Sequence, residues 1–464
     1  MIKERVLDAA LPARWLRGEI AVIGLARSGR SAAQLLARAG ADVYASDVSS
    51  SAAVDAAASA LRDEGVSTDV GHHDLERIAR ASLIVASPGV PPDAPPFVAA
   101  RGAGVDIVSE VEIGLRFLPR LSYIAITGSN GKTTTTALTR QLLTALDRRA
   151  STAGNIGTPL CELAASRTPP AWVALEISSF QLHDTPSIDP TVGVLTNLSA
   201  NHLDRYASVD DYYGDKMLMF RNARPTSSWV TNADDADSER LTAQLGGLRC
   251  RFSVDGSAEA YLDRATDTLV VLGHPLMARS ELPLLGDHNV ANALAASLAV
   301  MLADREHRTP HALARIRDGM RGFHALEHRI ETVAEQDGVL WINDSKSTNV
   351  TSTLVAIRGM TRPTVLLLGG KHKGEPYTAL APELRRIGRA VIAYGEAAPL
   401  IEADLKDVVP LTRLGSSFED VVATARHVAQ PGDAVLLSPA CSSYDMFDNY
   451  EHRGAVFKQL VTAA

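Results

Sequence analysis

The run from Ile124 to Thr134, Ile-Ala-Ile-Thr-Gly-Ser-Asn-Gly-Lys-Thr-Thr, limits the possible folds more than any other stretch. An apolar segment of strand length meets a glycine-rich turn, and Lys-Thr-Thr opens a helical segment. Backbone N–H groups in such a turn surround phosphate oxygens, and the helix N-terminus favours negative charge. Lys132 suits the β- and γ-phosphates of a nucleotide, and the Thr133 hydroxyl suits the magnesium that accompanies them. The longer form of the motif needs glycine where Ile126 stands, so this is the shorter Thr-Gly-x-x-Gly-Lys-Thr form. A Gly-Lys-Thr triplet in a random loop carries no meaning, but one between a strand and a helix does. ATP is therefore expected at Gly128, Ser129, Asn130, Gly131, Lys132, Thr133 and Thr134.

At 464 residues the chain exceeds one hydrophobic core, and ordinary domain sizes predict about three domains. A net charge of −8 argues against a general nucleic-acid binder. Cys161, Cys250 and Cys441 show neither metal-ligand spacing nor a pairing pattern, which suits a reducing compartment. The polar stretch from Met1 to Glu19 lacks an apolar signal core, and Ala291 to Ala303 reads as a packed helix rather than a span. A cytoplasmic enzyme, monomeric and without nucleic-acid or membrane partners, is the expectation.

Strands and helices alternate along the chain, predicting parallel sheets covered on both faces. In residues 1–113, Glu19 to Ile23 is a strand entering the turn Gly24-Leu25-Ala26-Arg27-Ser28-Gly29. A second strand ends in Asp47, as in a nucleotide-binding βαβ unit, although such turns also serve plain helix-on-strand packing. Leu83 to Val90 is a third strand whose turn reaches the same sheet edge, and Pro91 to Pro96 reads as a rigid loop. Residues 114–325 hold the phosphate turn and strand-like runs around Trp172–Glu176, Thr191–Asn197 and Ser228–Asn232. Residues 326–464 show strands at Val339–Asn343, Thr364–Leu368, Arg389–Ala393 and Ala434–Leu437. Rossmann-like first and last domains around a central P-loop ATPase-like domain with a mostly parallel sheet are the predicted architecture.

Glu176 ends a buried strand; it is either a solvated strand end or a carboxylate facing the phosphate turn, suited to magnesium. His202 lies in the evident loop Asn201–Tyr206, where a lone histidine is more often a surface residue than a ligand. These motifs occur in a fixed order: Thr127–Thr133, Glu176–Gln181, Asn201–Arg205, Asp287-His288-Asn289, His328-Arg329 and Asp344–Asn349. The set resembles the Mur ligase family across nearly the whole chain. The run Ser438–Phe447 is most similar to the branch of that family that adds D-glutamate.

The resemblance implies an ATP-dependent ligase of peptidoglycan-precursor synthesis, with UDP substrate, ATP and amino acid on successive domains that close to react. UDP-N-acetylmuramoyl-L-alanine would be phosphorylated on its carboxylate, and D-glutamate would attack the resulting acyl phosphate, giving ADP and phosphate. Lys132, His202, Lys216 and Lys346 would be catalytic. Thr133, Glu176 and His202 would hold Mg2+, and Lys216, carbamylated by carbon dioxide, would help hold a second ion. Asn289, Arg329 and Asp344 would contact purine, ribose or phosphates of ATP. Arg27, Ser28, Asp47, Gly89 and Asn155 would hold the UDP substrate, and Thr348, Lys373, Ser443, Tyr444 and Tyr450 the D-glutamate. The plain alternatives are that Lys216 is solvated, like most helix lysines, and that Lys371 and Lys373 form a basic surface turn.

Four positions depart from the family pattern: Glu327 stands where proline is common, Tyr444 and Tyr450 where Leu and Phe are frequent, and Val48 where a hydroxyl residue is usual. Lys371 adds a second cation beside Lys373. A sister ligase or a folylpolyglutamate-type synthetase adding another amino acid is the nearest alternative. The last domain lacks the Asp-Asn-Pro-x-x-Arg segment of the diaminopimelate- or lysine-adding sister. A nucleotide-responsive binding protein without turnover would not need Glu176, His202, Lys216 and Lys346 beside the turn.

Overall fold

Three sheets of five, nine and six strands account for the strands of the described residues, 10–200 and 205–463, in a computed structural model of the chain. The motif Asn201–Asp204, with His202, lies outside them. Two compact units form: Met1–Arg279 with Asn292–Met320, and Ser280–Ala291 with Arg321–Ala464.

The first unit carries two sheets. The N-terminal sheet has the order β3-β2-β1-β4-β5, with β1 Ile20–Ile23, β2 Val43–Asp47, β3 Ser67–Val70, β4 Leu83–Ala86 and β5 Ile107–Ser109, all parallel. β1 is buried at every position, as a central strand covered by helices on both faces must be. The order reverses between β1 and β4, so their turns flank the crevice where open α/β sheets bind ligands. The run Pro91–Pro96 is only half a loop: Pro95 and Pro96 begin the helix Pro95–Gly102, where the missing proline N–H costs nothing.

The central sheet runs β14-β13-β12-β11-β10-β9-β6-β8-β7, with β6 Ser122–Thr127, β7 Ala150–Gly154, β8 Trp172–Glu176, β9 Val192–Leu195 and β10 Ser228–Asn232. The sheet is mostly parallel, as expected, and departs from that order only at its outer edge. β11 Leu248–Ser253 and β12 Ala260–Asp263 continue the parallel order, but β13 Thr268–Val271 and β14 His274–Ala278 fold back as antiparallel hairpins. The two sheets share a core: Cys161, from the helix Leu160–Ala164, packs among Leu25, Leu36 and Ile113 of the N-terminal layer. The expected boundary at 113/114 falls inside the helix Glu110–Phe117, which links the layers.

The second unit holds β15-β16-β20-β17-β18-β19: β15 Glu331–Gln336, β16 Val339–Asn343, β17 Thr364–Gly369, β18 Gly388–Tyr394, β19 Leu411–Arg413 and β20 Ala434–Leu437. Only β15 is antiparallel. The Ala-rich segment forms the helix Asp287–Ala303, as its packed character predicts.

Candidate active site

The glycine turn follows β6, between β9 and β8, at the carboxyl ends of all three. Gly128 has φ +144°, and a Cβ there would lie 2.0 Å from Thr196 Oγ1; Gly131 has φ +79° and starts the helix Lys132–Ala145. Both positions need glycine. The segment after β9 braces the turn. Asn197 accepts from the Ser129 and Asn130 amides at 2.9 Å, Thr196 Oγ1 donates to Asn130 O at 2.6 Å, and Ser129 Oγ donates to Ser199 O at 2.8 Å. The Ser129 and Asn130 amides are therefore committed within the protein. Behind the turn, Asn292 Oδ1 accepts from Thr135 Oγ1. Single-sequence reasoning missed Asn197, Ser199 and Asn292, which carry no motif of their own.

Two lysines meet at this turn. Lys132 Nζ donates to Gly128 O and Ser129 O, each at 2.8 Å. Lys216, on the helix Val209–Met217, is 1% exposed and donates to the same Gly128 O at 2.8 Å. Burial pushes its pKa well below the usual lysine value, and the Lys132 charge adds to the effect, against opposing pulls from Asp215 and Glu176. The reading of Lys216 as a solvated lysine is thereby overturned. Glu176 is also buried: Asn155 Nδ2 donates to its Oε1 at 2.8 Å, while Oε2 has no partner among the described residues. A buried carboxylate oxygen without a donor is what a hard cation would satisfy. No group of three or more His, Cys, Asp or Glu among the described residues forms a metal cage. One carboxylate and a hydroxyl beside phosphates match the sparse way proteins hold magnesium.

At the carboxyl end of β7 lies a cavity of about 610 Å³ between the N-terminal and central layers. Arg27, Ser28, Asp47, Gly89 and Asn155, the five residues expected for the UDP substrate, all line it, as does the exposed Val48. Asp47 also builds its wall, accepting from Leu25 N at 2.7 Å and Ser49 N at 2.8 Å. Arg27 reaches Glu162 at 3.1 Å and the Gly157 carbonyl at 3.3 Å. A second cavity of about 350 Å³ shares Ser87, Pro88 and Val90 with the first and is walled by Arg101, Phe180, Gln181, His183 and Tyr206. Gln181 Nε2 is buried there with no partner among the described residues, another signal that the sequence motif alone did not give. His183 pairs with Asp215 at 3.0 Å, which raises the histidine pKa; burial pushes Asp184 up to about 6.

In the second unit the predicted residues again gather at carboxyl ends, here of the adjacent strands β16, β20 and β17. Arg329 sits between two left-handed residues, His328 (φ 63°) and Ile330 (φ 46°), a costly backbone for a β-branched side chain. The turn is tied down by Lys346 N donating to His328 O at 3.1 Å and Ile330 N donating to Asp344 Oδ1 at 3.2 Å. Asp344 is 4% exposed and also accepts from Ser347 and Ser438; burial pushes it up to about 6. Its carboxylate thus anchors the Arg329 turn rather than facing solvent. Asn289 Nδ2 donates to Leu285 O at 2.8 Å. Glu327, the residue in place of proline, pairs with Lys458 at 3.0 Å.

Lys346 Nζ donates to the Tyr450 hydroxyl at 2.5 Å, and Lys373 Nζ to Thr348 Oγ1 at 3.2 Å. Ser443 is buried, whereas Tyr444 is 72% exposed. Arg453, fully buried, donates to the carbonyls of Ser345 and Cys441, tying the turns after β16 and β20 together.

A strand–glycine turn–helix at a sheet's carboxyl edge, with a buried carboxylate and a buried lysine against it, defines a nucleotide-phosphate-binding α/β protein. The chain belongs to the Mur ligase family. The family's models match in sequence: the MurD-like N-terminal domain over residues 18–109, the middle domain over 126–300 and the glutamate ligase domain over 328–441. UDP-N-acetylmuramoylalanine–D-glutamate ligase of Acidobacterium capsulatum is 40% identical over 457 residues, covering 97% of each chain. The protein of the same name from Salinibacter ruber is 39% identical, covering 96% of this chain and 98% of its own. Among solved structures, UDP-N-acetylmuramate-alanine ligase of Thermotoga maritima shares the fold, with a TM-score of 0.60 at 20% identity, covering 96% of this chain and 99% of its own.

Proposed function

We infer that the chain is an ATP-dependent amide-bond-forming ligase that adds D-glutamate to the carboxylate of UDP-N-acetylmuramoyl-L-alanine in peptidoglycan-precursor synthesis. The observation that carries the ligase chemistry is the convergence of Lys132, Lys216 and the half-satisfied Glu176 on one turn. The choice of amino acid rests on the similarity to D-glutamate ligases over nearly the full chain.

A carboxylate is a poor acyl donor because oxide leaves badly. Its oxygen attacks the γ-phosphorus of ATP, ADP departs, and the acyl phosphate carries a good leaving group. The amine of D-glutamate then adds to the acyl carbon, and the anionic tetrahedral species collapses as the C–O bond to phosphate breaks. Catalysis is largely positioning and charge neutralisation. Lys132 and the first amides of its helix hold the phosphates. Thr133, Glu176 and His202 would hold one magnesium and carbamylated Lys216 would help hold a second; when bound, they would neutralise the transferring phosphoryl group. Carbamylation fits Lys216, because burial favours its uncharged amine, and that form adds carbon dioxide and loses a proton to become an anionic ligand.

Arg27, Ser28, Asp47, Gly89 and Asn155 take the UDP substrate; Asn289, Arg329 and Asp344 serve ATP, with Asp344 acting through the Arg329 turn. Lys346 attends the reacting phosphate, and Thr348, Lys373, Ser443, Tyr444 and Tyr450 receive D-glutamate. No helix among the described residues is long and apolar enough to cross a membrane, and the three cysteines are unpaired. We assign the reaction to the cytoplasm and to a monomer. Phosphate release is the test. It should require UDP-N-acetylmuramoyl-L-alanine and D-glutamate together. Release with another amino acid instead would point to a sister ligase or folylpolyglutamate-type synthetase, and release with no amino acid to a plain ATPase.

A further inference from the structure

Two turns that carry the amino-acid residues are joined by a link that nothing in their motifs calls for. The turn after β17 bears Lys373, and the turn after β20 bears Ser443. Their backbones form one short antiparallel bridge, Lys371 N donating to Ser442 O at 2.9 Å and Ser442 N to Lys371 O at 3.1 Å. Beside it stands a side-chain bridge. The hydroxyl of Tyr377, a residue 1% exposed, lies 2.9 Å from His372 Nδ1 and 3.0 Å from Cys441 Sγ. The rings of His372 and Tyr377 also touch, with centroids 5.5 Å apart. Asp404 accepts from Tyr377 N at 2.9 Å, so the backbone beneath the phenol is fixed.

Burial pushes the Cys441 thiol up to about 11 and the Tyr377 phenol higher still, so both keep their protons at neutral pH. A hydroxyl carries one proton and two lone pairs, so the Tyr377 oxygen can bond both neighbours at once. His372 belongs to the Lys373 turn and Cys441 to the Ser443 turn, so one hydroxyl spans both. A substrate with two carboxylates must meet cation and hydroxyl donors at one particular separation, and a small error in that separation is costly.

We propose that Tyr377 is a positioning residue for the amino-acid substrate, its hydroxyl setting the distance between the Lys373 turn and the Ser443 turn. This rests on the D-glutamate reading above. Phosphate release by the wild type with D-glutamate is therefore measured first; its absence would remove that reading, whereas the variants below test only the link.

Tyr377→Phe keeps the ring and removes the hydroxyl. Loss of one buried hydrogen-bonded link should raise the KM for D-glutamate about tenfold. The KM values for ATP and UDP substrate, and kcat at saturation, should stay within about twofold, a split that general loosening of the fold would not produce. His372→Ala, at a half-exposed ring, should move the same constant in the same direction and keeps the test open should Tyr377→Phe fail to fold. The double variant should be no worse than Tyr377→Phe alone, because both cut one chain. An unchanged KM for D-glutamate in the single variants, additive effects in the double, or a parallel rise in all three KM values would overturn the proposal.

Discussion

Lys132 and Lys216 donate to the same acceptor, each placing its Nζ 2.8 Å from the carbonyl oxygen of Gly128. Burial, reinforced by the Lys132 charge, lowers the Lys216 pKa well below the usual lysine value. A lowered pKa favours the uncharged amine, the form that reacts with carbon dioxide. The environment that makes Lys216 a poor cation makes it a good site for a carbamate.

Lys216→Ala should lower kcat by roughly 10²–10³, the range for removing one group that stabilises developing charge. Lys216→Arg should lose as much, since a guanidinium stays protonated and cannot form the carbamate. With ¹³C-bicarbonate, the wild type should show a carbamate carbon resonance that both variants lack. Normal turnover in Lys216→Ala would exclude the role.

Asn155 faces two places. It lines the cavity proposed for the UDP substrate, and its amide holds Glu176 Oε1. Asn155→Ala should therefore raise the KM for the UDP substrate and also the magnesium concentration needed for half-maximal rate. A variant acting only through the substrate would move the first constant alone. A titration of magnesium at saturating UDP substrate separates the two, and an unaltered magnesium requirement would break the proposed connection.

Much of this site was legible in sequence because each residue type sits where a buried strand ends. Gly128 to Thr134 follow β6, Glu176 closes β8, and Lys346 and Lys373 follow β16 and β17; an apolar run meeting glycine, acid or lysine marks such edges. The β13–β14 hairpin was not legible for a comparable reason in reverse. Its turn uses Leu272 (φ 50°) and Gly273 (φ 77°), whereas the usual signal for two left-handed turn residues is Asn-Gly or Asp-Gly. The Tyr377 link was also invisible, since its hydroxyl meets a cysteine 64 positions away. Contacts that distant leave no periodic trace.

Gly128 tests the fit of the turn to the strand beside it. A methyl group there would meet Thr196 Oγ1 at 2.0 Å and Asn197 N at 3.1 Å, on a backbone with φ +144°. Gly128→Ala should cost about 2–4 kcal/mol of stability, combining strain and overpacking, and should abolish ATP-dependent protection from thermal unfolding. Adding Thr196→Ala removes the nearest clash but leaves the backbone strain, so part of the melting temperature should return while ATP protection stays lost. Full recovery of both in the double variant would show that the conformation of Gly128 is not required.

Glu110 gives the first unit a predictable pH dependence. It is 1% exposed between the two layers; its Oε1 accepts from Cys161 N at 2.6 Å, and Oε2 has no partner among the described residues. Burial pushes its pKa from 4.5 up to about 7. Between those values the folded chain holds a proton that the unfolded chain has lost, so stability falls as pH rises through the window. The penalty is absent below pH 4.5 and complete above 7, amounting to about 3 kcal/mol at most. Glu110→Gln keeps the oxygen facing Cys161 and cannot ionise. Its melting temperature relative to wild type should therefore climb between pH 5 and pH 8 and then level off. A difference that stays constant across that range would mean that Glu110 does not ionise in the folded protein as its surroundings dictate.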